Sequence, residues 1–206
     1  MKKLAIKATG LLIFALLLIG CETNVVSPES ENYLTKTGVS ELILNDGVAL
    51  GITQDEIDGL IHMRIEEKLA RDAYIVLGEL WDAKVFYKIQ ISEQTHMDAV
   101  KAKLDKFNIP DPLLTDEVGV FPEDYPEFQI LYDELMTQGI ISIYEAFRVG
   151  IAIEEMDIDD LEEQIGLATN QGIIKLYTNL KDASTSHLAA FNKNLIGCVT
   201  ASEIAE

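Results

Sequence analysis

Cysteine is scarce in this 206-residue chain, which has only Cys21 and Cys198 and therefore too few thiols for a disulfide framework. Basic residues are also few: 16 Lys and Arg stand against 35 Asp and Glu, and the formal net charge is −19. Such a charge repels phosphate backbones and anionic lipid headgroups, which argues against nucleic acid as a partner and favours cations as ligands. Apolar residues nevertheless make up 48% of the chain, enough for one folded domain with a sizeable core.

The first 20 residues have the pattern of an export signal. Three lysines among the first seven residues precede an apolar run over 11–19, which is far shorter than the roughly 18 residues that a membrane-spanning helix needs. The run leads into Gly20 and Cys21, and this ending resembles the bacterial lipobox, in which the cysteine is lipidated before cleavage. We therefore predict a lipoprotein signal peptide over 1–20 with lipidation at Cys21. An ordinary signal peptide that happens to contain a cysteine is the alternative.

These predictions place the mature protein outside the cytoplasm, anchored by lipid to a bacterial membrane. Several buried acyl chains would hold it firmly, at about 0.8 kcal/mol per buried CH₂. Glu22 follows the lipidated cysteine, whereas an Asp at that position would resemble the inner-membrane retention signal of some Gram-negative bacteria. The absence of that Asp favours the outer membrane, either its periplasmic face or the cell surface. Removal of the signal takes away three lysines and no acid, which changes the net charge from −19 to −22. Cys198 is then the remaining thiol, and we interpret it as a small apolar filler.

Helical periodicity begins at Thr53, after a polar segment over 21–52 that we interpret as a flexible tether. Capping boxes are indicated by the spacing of Thr53 with Glu56 and of Ser142 with Glu145. The predicted helices cover about 53–80, 83–108, 126–138, 142–166 and 170–196. Four long helices and one long connection with a short extra helix predict an all-α four-helix bundle with a single crossover over 53–197, followed by a C-terminal tail over 198–206.

Each of the four long predicted helices has an ionisable group in the middle of its apolar stripe, when residues are placed at about 100° per position. An unpaired buried carboxylate costs several kcal/mol, and we find no lysine on the inward faces. Arg64 and Arg71 lie on the flank of the first helix, where they could pair with one or two of the acids. The inward acids and imidazoles are Glu67, Glu93, His96, Glu154, Asp157 and His187.

A pair of divalent cations would balance the four inward carboxylates, and carboxylates with two imidazoles favour iron or manganese over zinc. Glu93 and His96 form an E-x-x-H motif, which places both groups on one helical face a turn apart. Any one of these residues alone is explained more simply, as an acid at the edge of the stripe or a hydrogen-bonded core imidazole. Their combination predicts a two-metal site. In contrast, we interpret His62 and Asp160 as solvent-exposed, and Glu66 lies near the edge of the inward face.

The spacing of Glu67, Tyr74 and the E-x-x-H motif is similar to the first half of ferritin-like di-iron proteins such as bacterioferritin and rubrerythrin. More specifically, the chain resembles the ferritin-like family called domain of unknown function 2202 over about residues 57–192. Four stretches carry this resemblance, and they occur in the family's order: 66–72, 92–99, 153–161 and 186–191.

The resemblance implies a di-metal centre between the helices, with Glu67, Glu93, His96, Glu154 and His187 as ligands. The general ferritin pattern has a second E-x-x-H on the last helix, but here Ser184 stands three residues before His187. Two interpretations stay open at this point. Asp157 supplies the missing carboxylate from the neighbouring helix, or one metal is bound more weakly and exchanges.

Three functions are compatible with such a site. The first is redox chemistry at a di-iron centre, either ferroxidase or peroxide-scavenging activity, with Tyr74 bonded to a ligand carboxylate or itself oxidised. The chain has no C-x-x-C pair, so this function requires a separate electron donor. The second is capture or buffering of iron or manganese without turnover, and the third is a structural surface lipoprotein that uses the bundle as a scaffold. A storage cage is not expected of a tethered domain, whereas a homodimer is left open.

Overall fold

The computed structural model describes residues 51–204, with side chains up to residue 198. The predicted signal peptide, Cys21 and all but the end of the predicted tether lie outside the described residues. Across 51–204 the all-α prediction is confirmed, since the chain forms five helices and no strand. None of these helices is both long and apolar enough to cross a membrane. The helices are α1 (Gln54–Trp81), α2 (Lys84–Lys106), α3 (Pro126–Gly139), α4 (Ile143–Leu167) and α5 (Gln171–Ile204).

A capping box starts α1, as the sequence predicts. Thr53 Oγ1 accepts a hydrogen bond from the backbone N–H of Glu56 at 3.2 Å, and Glu56 Oε2 accepts one from the N–H of Thr53 at 2.8 Å. The other oxygen of Glu56 accepts hydrogen bonds from the N–H groups of Thr169 at 2.7 Å and Asn170 at 2.6 Å, just before α5. One buried carboxylate therefore joins the starts of two helices that are far apart in the sequence.

The C-terminal helix is longer than predicted. We expected it to end before Gly197, with a tail over 198–206, but α5 continues through Gly197 to Ile204. A glycine ends a helix by adopting a left-handed backbone conformation, and Gly197 does not have a positive φ. In a helical conformation it costs only about 1 kcal/mol relative to alanine, which is too little to terminate a helix of this length.

Each of the four long helices packs against two of the others. α1 contacts α2 and α4, and α5 contacts the same two helices. The link between α1 and α2 and the link between α4 and α5 are both short, so these pairs pack most extensively, as helical hairpins. The short helix α3 lies against α1 and α4, within the long connection between the two hairpins.

The apolar core is divided into two clusters with buried polar residues between them. On α1, Leu60 and Met63 belong to one cluster, whereas Tyr74 and Leu77 belong to the other. The other three long helices also contribute to both clusters. Ile52, at the end of the predicted tether, is buried in the first of these clusters. Each fully buried aliphatic or aromatic side chain contributes about 1.5–3 kcal/mol.

Buried cations of α1 hold the connection between α2 and α3 rather than the inward carboxylates. Arg64 makes two hydrogen bonds to the carboxylate of Asp111, at 3.1 and 3.0 Å. Arg71 bonds to Asp116 at 2.7 Å and to Asp72 at 2.8 and 2.9 Å. The suggestion that these two arginines pair with the inward acids is therefore wrong, because acids of the connection and of α1 itself occupy both guanidinium groups.

Lys68 is also buried, but it faces the connection rather than the inward carboxylates, so it does not neutralise them. Its amino group donates to Asp72 and, at 2.7 Å, to the carbonyl of Glu117. Asp72 also accepts a hydrogen bond from the N–H of Gly119 at 2.9 Å. Lys68 thus neutralises a buried acid that the sequence analysis did not identify, on the side of α1 that faces the connection.

Asp72→Asn should destabilise the domain by about 3–5 kcal/mol, because it leaves the buried Lys68 and Arg71 without their shared counter-charge. The free energy of unfolding from urea titrations measures this. Asp105→Asn is the matched control, since Lys101 and Asp105 form an exposed pair at the same i,i+4 spacing, for which about 0.3–0.5 kcal/mol is expected. Equal losses in the two variants would contradict a buried electrostatic role for Asp72.

Candidate metal centre

The structure brings the predicted ligands together midway along the four long helices, between the two apolar clusters. The donor atoms fall into two groups that share Glu93, and within each group they lie within 4.8 Å of one another. The carboxylates are almost fully buried, and the two imidazoles are largely buried. The first group is Glu67, Glu93 and His96, and the second is Glu93, Glu154 and His187.

Glu93 lies between the two imidazoles and turns one oxygen towards each. His96 Nδ1 is 2.7 Å from Glu93 Oε2 and 3.2 Å from Glu67 Oε2. His187 Nδ1 is 2.8 Å from Glu93 Oε1 and 3.5 Å from Glu154 Oε2. The two rings are nearly parallel, with centroids 5.7 Å apart. Glu93 is therefore arranged like a carboxylate that bridges two sets of metal-ligating residues.

Tyr74 fixes the orientation of Glu154. Its hydroxyl donates to Glu154 Oε1 at 2.7 Å, and its ring packs between Phe86 and Phe191. Burial, together with the nearby charges of Glu154 and Glu93, raises the pKa of Tyr74 well above its ordinary value. The phenol therefore stays protonated and donates, which leaves the other oxygen of Glu154 to face His187.

Asp157 is buried beside the centre but belongs to neither group. Ser184 donates a hydrogen bond to its Oδ2, while its Oδ1 is buried without a hydrogen-bond partner. Ser184 occupies the position at which a second E-x-x-H motif would have its carboxylate. It therefore contacts Asp157, the residue suggested to supply that carboxylate instead. That Asp157 is a ligand stays a prediction.

The residues fit a divalent metal pair, as judged by their unsatisfied polar atoms. Buried polar atoms normally have hydrogen-bond partners, and a buried polar atom without one lowers the stability of the fold by about 1–3 kcal/mol. At this centre Glu67 Oε1, Glu93 Oε1, Asp157 Oδ1 and His187 Nδ1 have none. His187 Nδ1 and Glu93 Oε1 are close together, but they are not aligned for a hydrogen bond. Carboxylate oxygen and imidazole nitrogen are suitable donors for iron or manganese.

Comparison with known proteins now places the chain in a family. Residues 56–198, which include every candidate ligand, match the family described as an uncharacterized protein domain, DUF2202. The chain belongs to the DUF2202 family. It is 47% identical over 144 residues to the uncharacterized protein MJ0754 of Methanocaldococcus jannaschii, a match that covers 70% of this chain and 77% of the relative.

A solved relative has a similar fold. The crystal structure of the hypothetical protein MJ0754 from Methanococcus jannaschii matches with a TM-score of 0.69 and 46% identity. The match covers 71% of this chain and 82% of the solved chain. The predicted resemblance to the DUF2202 family is thus confirmed. Both matches are to the same protein, MJ0754, and neither its name nor the description of its structure states a function.

Burial and mutual repulsion favour protons on the metal-free centre of this DUF2202 protein. Burial, with the repulsion of Glu93, raises the pKa of Glu67 to about 8 and that of Glu154 to about 7. Burial alone would lower the pKa of both imidazoles, but the facing carboxylates raise it to about 10 for His96 and about 9 for His187. Burial opposes ionisation of Glu93 too, yet the two imidazoles lower its pKa to about 2.

A third group of donor atoms was missed by the sequence analysis. His62 and Asp160 were both assigned to the solvated surface, but His62, Glu66 and Asp160 lie within 4.8 Å of one another at their donor atoms. The i,i+4 spacing of His62 and Glu66 on α1 was the available signal. The approach of Asp160 from α4 depends on helix packing, which no local pattern encodes.

The metal-free protein should lose thermal stability as the pH rises from about 4.5 towards 10. Glu67, Glu154, His96 and His187 have folded pKa values above their ordinary ones. Their contribution to stability is complete below the ordinary pKa and is lost as the pH passes the folded one. The lowered pKa of Glu93 acts in the opposite sense, and its contribution is lost as the pH falls from 4.5 towards 2. Scanning calorimetry after chelator treatment measures the Tm.

A His96→Gln/His187→Gln double variant serves as the comparison for this pH dependence. It lacks the two imidazoles that gain protons on folding, so its Tm should decrease less steeply between about pH 6.5 and 10. A metal-free wild-type Tm that is constant or rises over this interval would contradict the protonated centre.

Proposed function

We propose that this protein is a ferritin-like four-helix bundle that binds two divalent cations, iron or manganese, at the centre built around Glu93. The observation that carries the proposal is the position of Glu93, which presents one oxygen to each of two ligand groups. The packing of each long helix against two others supports the bundle, and the long connection with α3 supports a single crossover.

Charge balance supports two ions rather than none. The inward carboxylates Glu67, Glu93, Glu154 and Asp157 would carry four negative charges when ionised, which two divalent cations neutralise. The buried cations of α1 bond elsewhere, to Asp72 and to the connection after α2. Without metal, protons must supply the balance, so metal binding should release protons and tighten as the pH rises.

The chain's own residues would hold and shield the ions. In the first site the ligands are Glu67, Glu93 and His96, and Tyr74 orients Glu154 for the second site. The apolar clusters on either side limit the access of water to the centre. A bound pair of Fe(II) ions would supply two electrons to oxygen or hydrogen peroxide, which is the basis of a ferroxidase or peroxide-scavenging activity. Re-reduction would require a separate electron donor.

The proposed setting is a bacterial membrane to which the exported protein is anchored by lipid, at the periplasmic face of the outer membrane or at the cell surface. The signal-like segment over 1–20 and Cys21 support a lipid anchor, and the strongly acidic chain would raise the local concentration of cations. A lipoprotein that only captures iron or manganese uses the same residues and differs in the absence of turnover.

Metal stoichiometry in variants tests the shared role of Glu93. The centre around Glu93 should account for two Fe(II) or Mn(II) ions per chain under anaerobic conditions, measured by mass spectrometry after desalting as the difference in metal content between the wild type and Glu93→Gln. Glu93→Gln should lose both ions, because Glu93 belongs to both groups. His96→Gln should weaken the first site and His187→Gln the second.

Glu155→Gln is the matched control for these variants, since Glu155 is the exposed neighbour of Glu154 on α4 and should leave the metal content unchanged. Retention of two ions by Glu93→Gln would refute the shared ligand. A wild type that stays empty after loading with each metal would refute the metal centre itself and favour the scaffold function.

Tyr74→Phe tests whether the centre turns over. Loss of the hydrogen bond to Glu154 should lower the rate of oxygen or peroxide consumption by Fe(II)-loaded protein at least several-fold, while the first site keeps its metal. Consumption is followed with an oxygen electrode and a peroxide assay. If the loaded wild type consumes neither oxidant, the protein is a metal-binding module without turnover.

A further inference from the structure

His62, Glu66 and Asp160 form a second cluster of metal-ligating groups, at the surface between α1 and α4. His62 Nε2 lies 3.1 Å from Glu66 Oε2 and 3.1 Å from Asp160 Oδ2. None of these residues belongs to the two groups around Glu93. Glu66 is next to Glu67 in the chain, and Asp160 is one turn after Asp157, so the cluster lies beside the inner centre but faces outward.

Glu66 is the buried member of this cluster, and it has no hydrogen-bond partner. Its carboxylate is 1% exposed, and neither of its oxygens accepts a hydrogen bond. His62 Nε2 is equally close to both carboxylates, but it is aligned for a hydrogen bond only with Asp160. Burying this charge costs several kcal/mol, which either the imidazole of His62, 3.1 Å away, or a bound cation must offset.

A divalent cation would satisfy all three residues at once. Ligands about 2.1 Å from an ion and at right angles to each other are about 3 Å apart, which agrees with the two separations measured from His62 Nε2. One imidazole nitrogen and two carboxylate oxygens suit Mn(II), Fe(II) or Zn(II). The side chains of His62 and Asp160 are 41% and 37% exposed, so an ion can reach the cluster from solvent without entering the inner centre.

We propose that His62, Glu66 and Asp160 form a third, surface-accessible site for a divalent transition-metal cation. The imidazole nitrogen of His62 and one oxygen from each carboxylate are the protein ligands, and water completes the coordination. The site uses no ligand of the inner centre, so it does not depend on the proposed function of that centre.

Mn(II) binding to the full chain tests this site, with electron paramagnetic resonance of the free ion as the readout. Asp160→Asn and His62→Gln should each bind one Mn(II) fewer per chain than the wild type at ion concentrations that saturate the wild type. Asp159→Asn is the matched control, because Asp159 is an exposed neighbour that belongs to no donor group, and it should bind as many ions as the wild type.

The same substitutions in the Glu93→Gln background separate this site from the inner centre. The difference of one Mn(II) should persist there, even if the inner centre binds nothing in either background. Equal binding by the wild type, Asp160→Asn and His62→Gln would overturn the proposal. Loss of thermal stability by these variants in metal-free buffer, with that equal binding, would identify His62 as a cation that merely pairs with the two carboxylates.

Discussion

The burial of four carboxylates in the middle of an apolar core is the constraint on which the rest of this structure depends. Desolvating even one carboxylate is costly, and Glu67, Glu93, Glu154 and Asp157 are brought together with two imidazoles as the only nearby basic groups in the described part of the chain. Protons or metal ions must therefore be part of the folded state. The two apolar clusters contribute the stability that this polar layer does not.

The first helix separates charges of opposite sign on its two buried sides. Glu66 and Glu67 face α4 and the centre, while Lys68 and Arg71 bond to Asp72 and to the connection after α2. If Lys68 and Arg71 paired with the inward acids instead, the carboxylate oxygens of the centre would be occupied and could not bind a metal ion. The connection supplies acceptors such as Asp116 and the carbonyl of Glu117, and it thereby keeps the cations away from the centre.

Periodicity was sufficient to predict that Glu93 and His96 are buried, because they share a helical face and each has strongly apolar neighbours one turn away. It failed for Lys68, which is one position beyond Glu67 and is buried only because the chain over 107–125 folds across it. It failed for Asp160 as well, since several acids follow one another there and only the contact between α1 and α4 distinguishes this one. Gly197 showed that a residue typical of helix ends stops a helix only when it adopts the left-handed conformation.

The contacts of Glu56 place the starts of α1 and α5 at the same end of the molecule. Because both hairpins are joined by short links, α2 and α4 run in the opposite direction, and every long helix is antiparallel to the two against which it packs. The peptide dipoles of neighbouring helices therefore largely cancel. Glu67 is also near the midpoint of α1, and the influence of a helix terminus extends only about one turn. The backbone dipoles thus contribute little to the electrostatic potential at Glu67 and its neighbours, and the side chains of the centre have to set it.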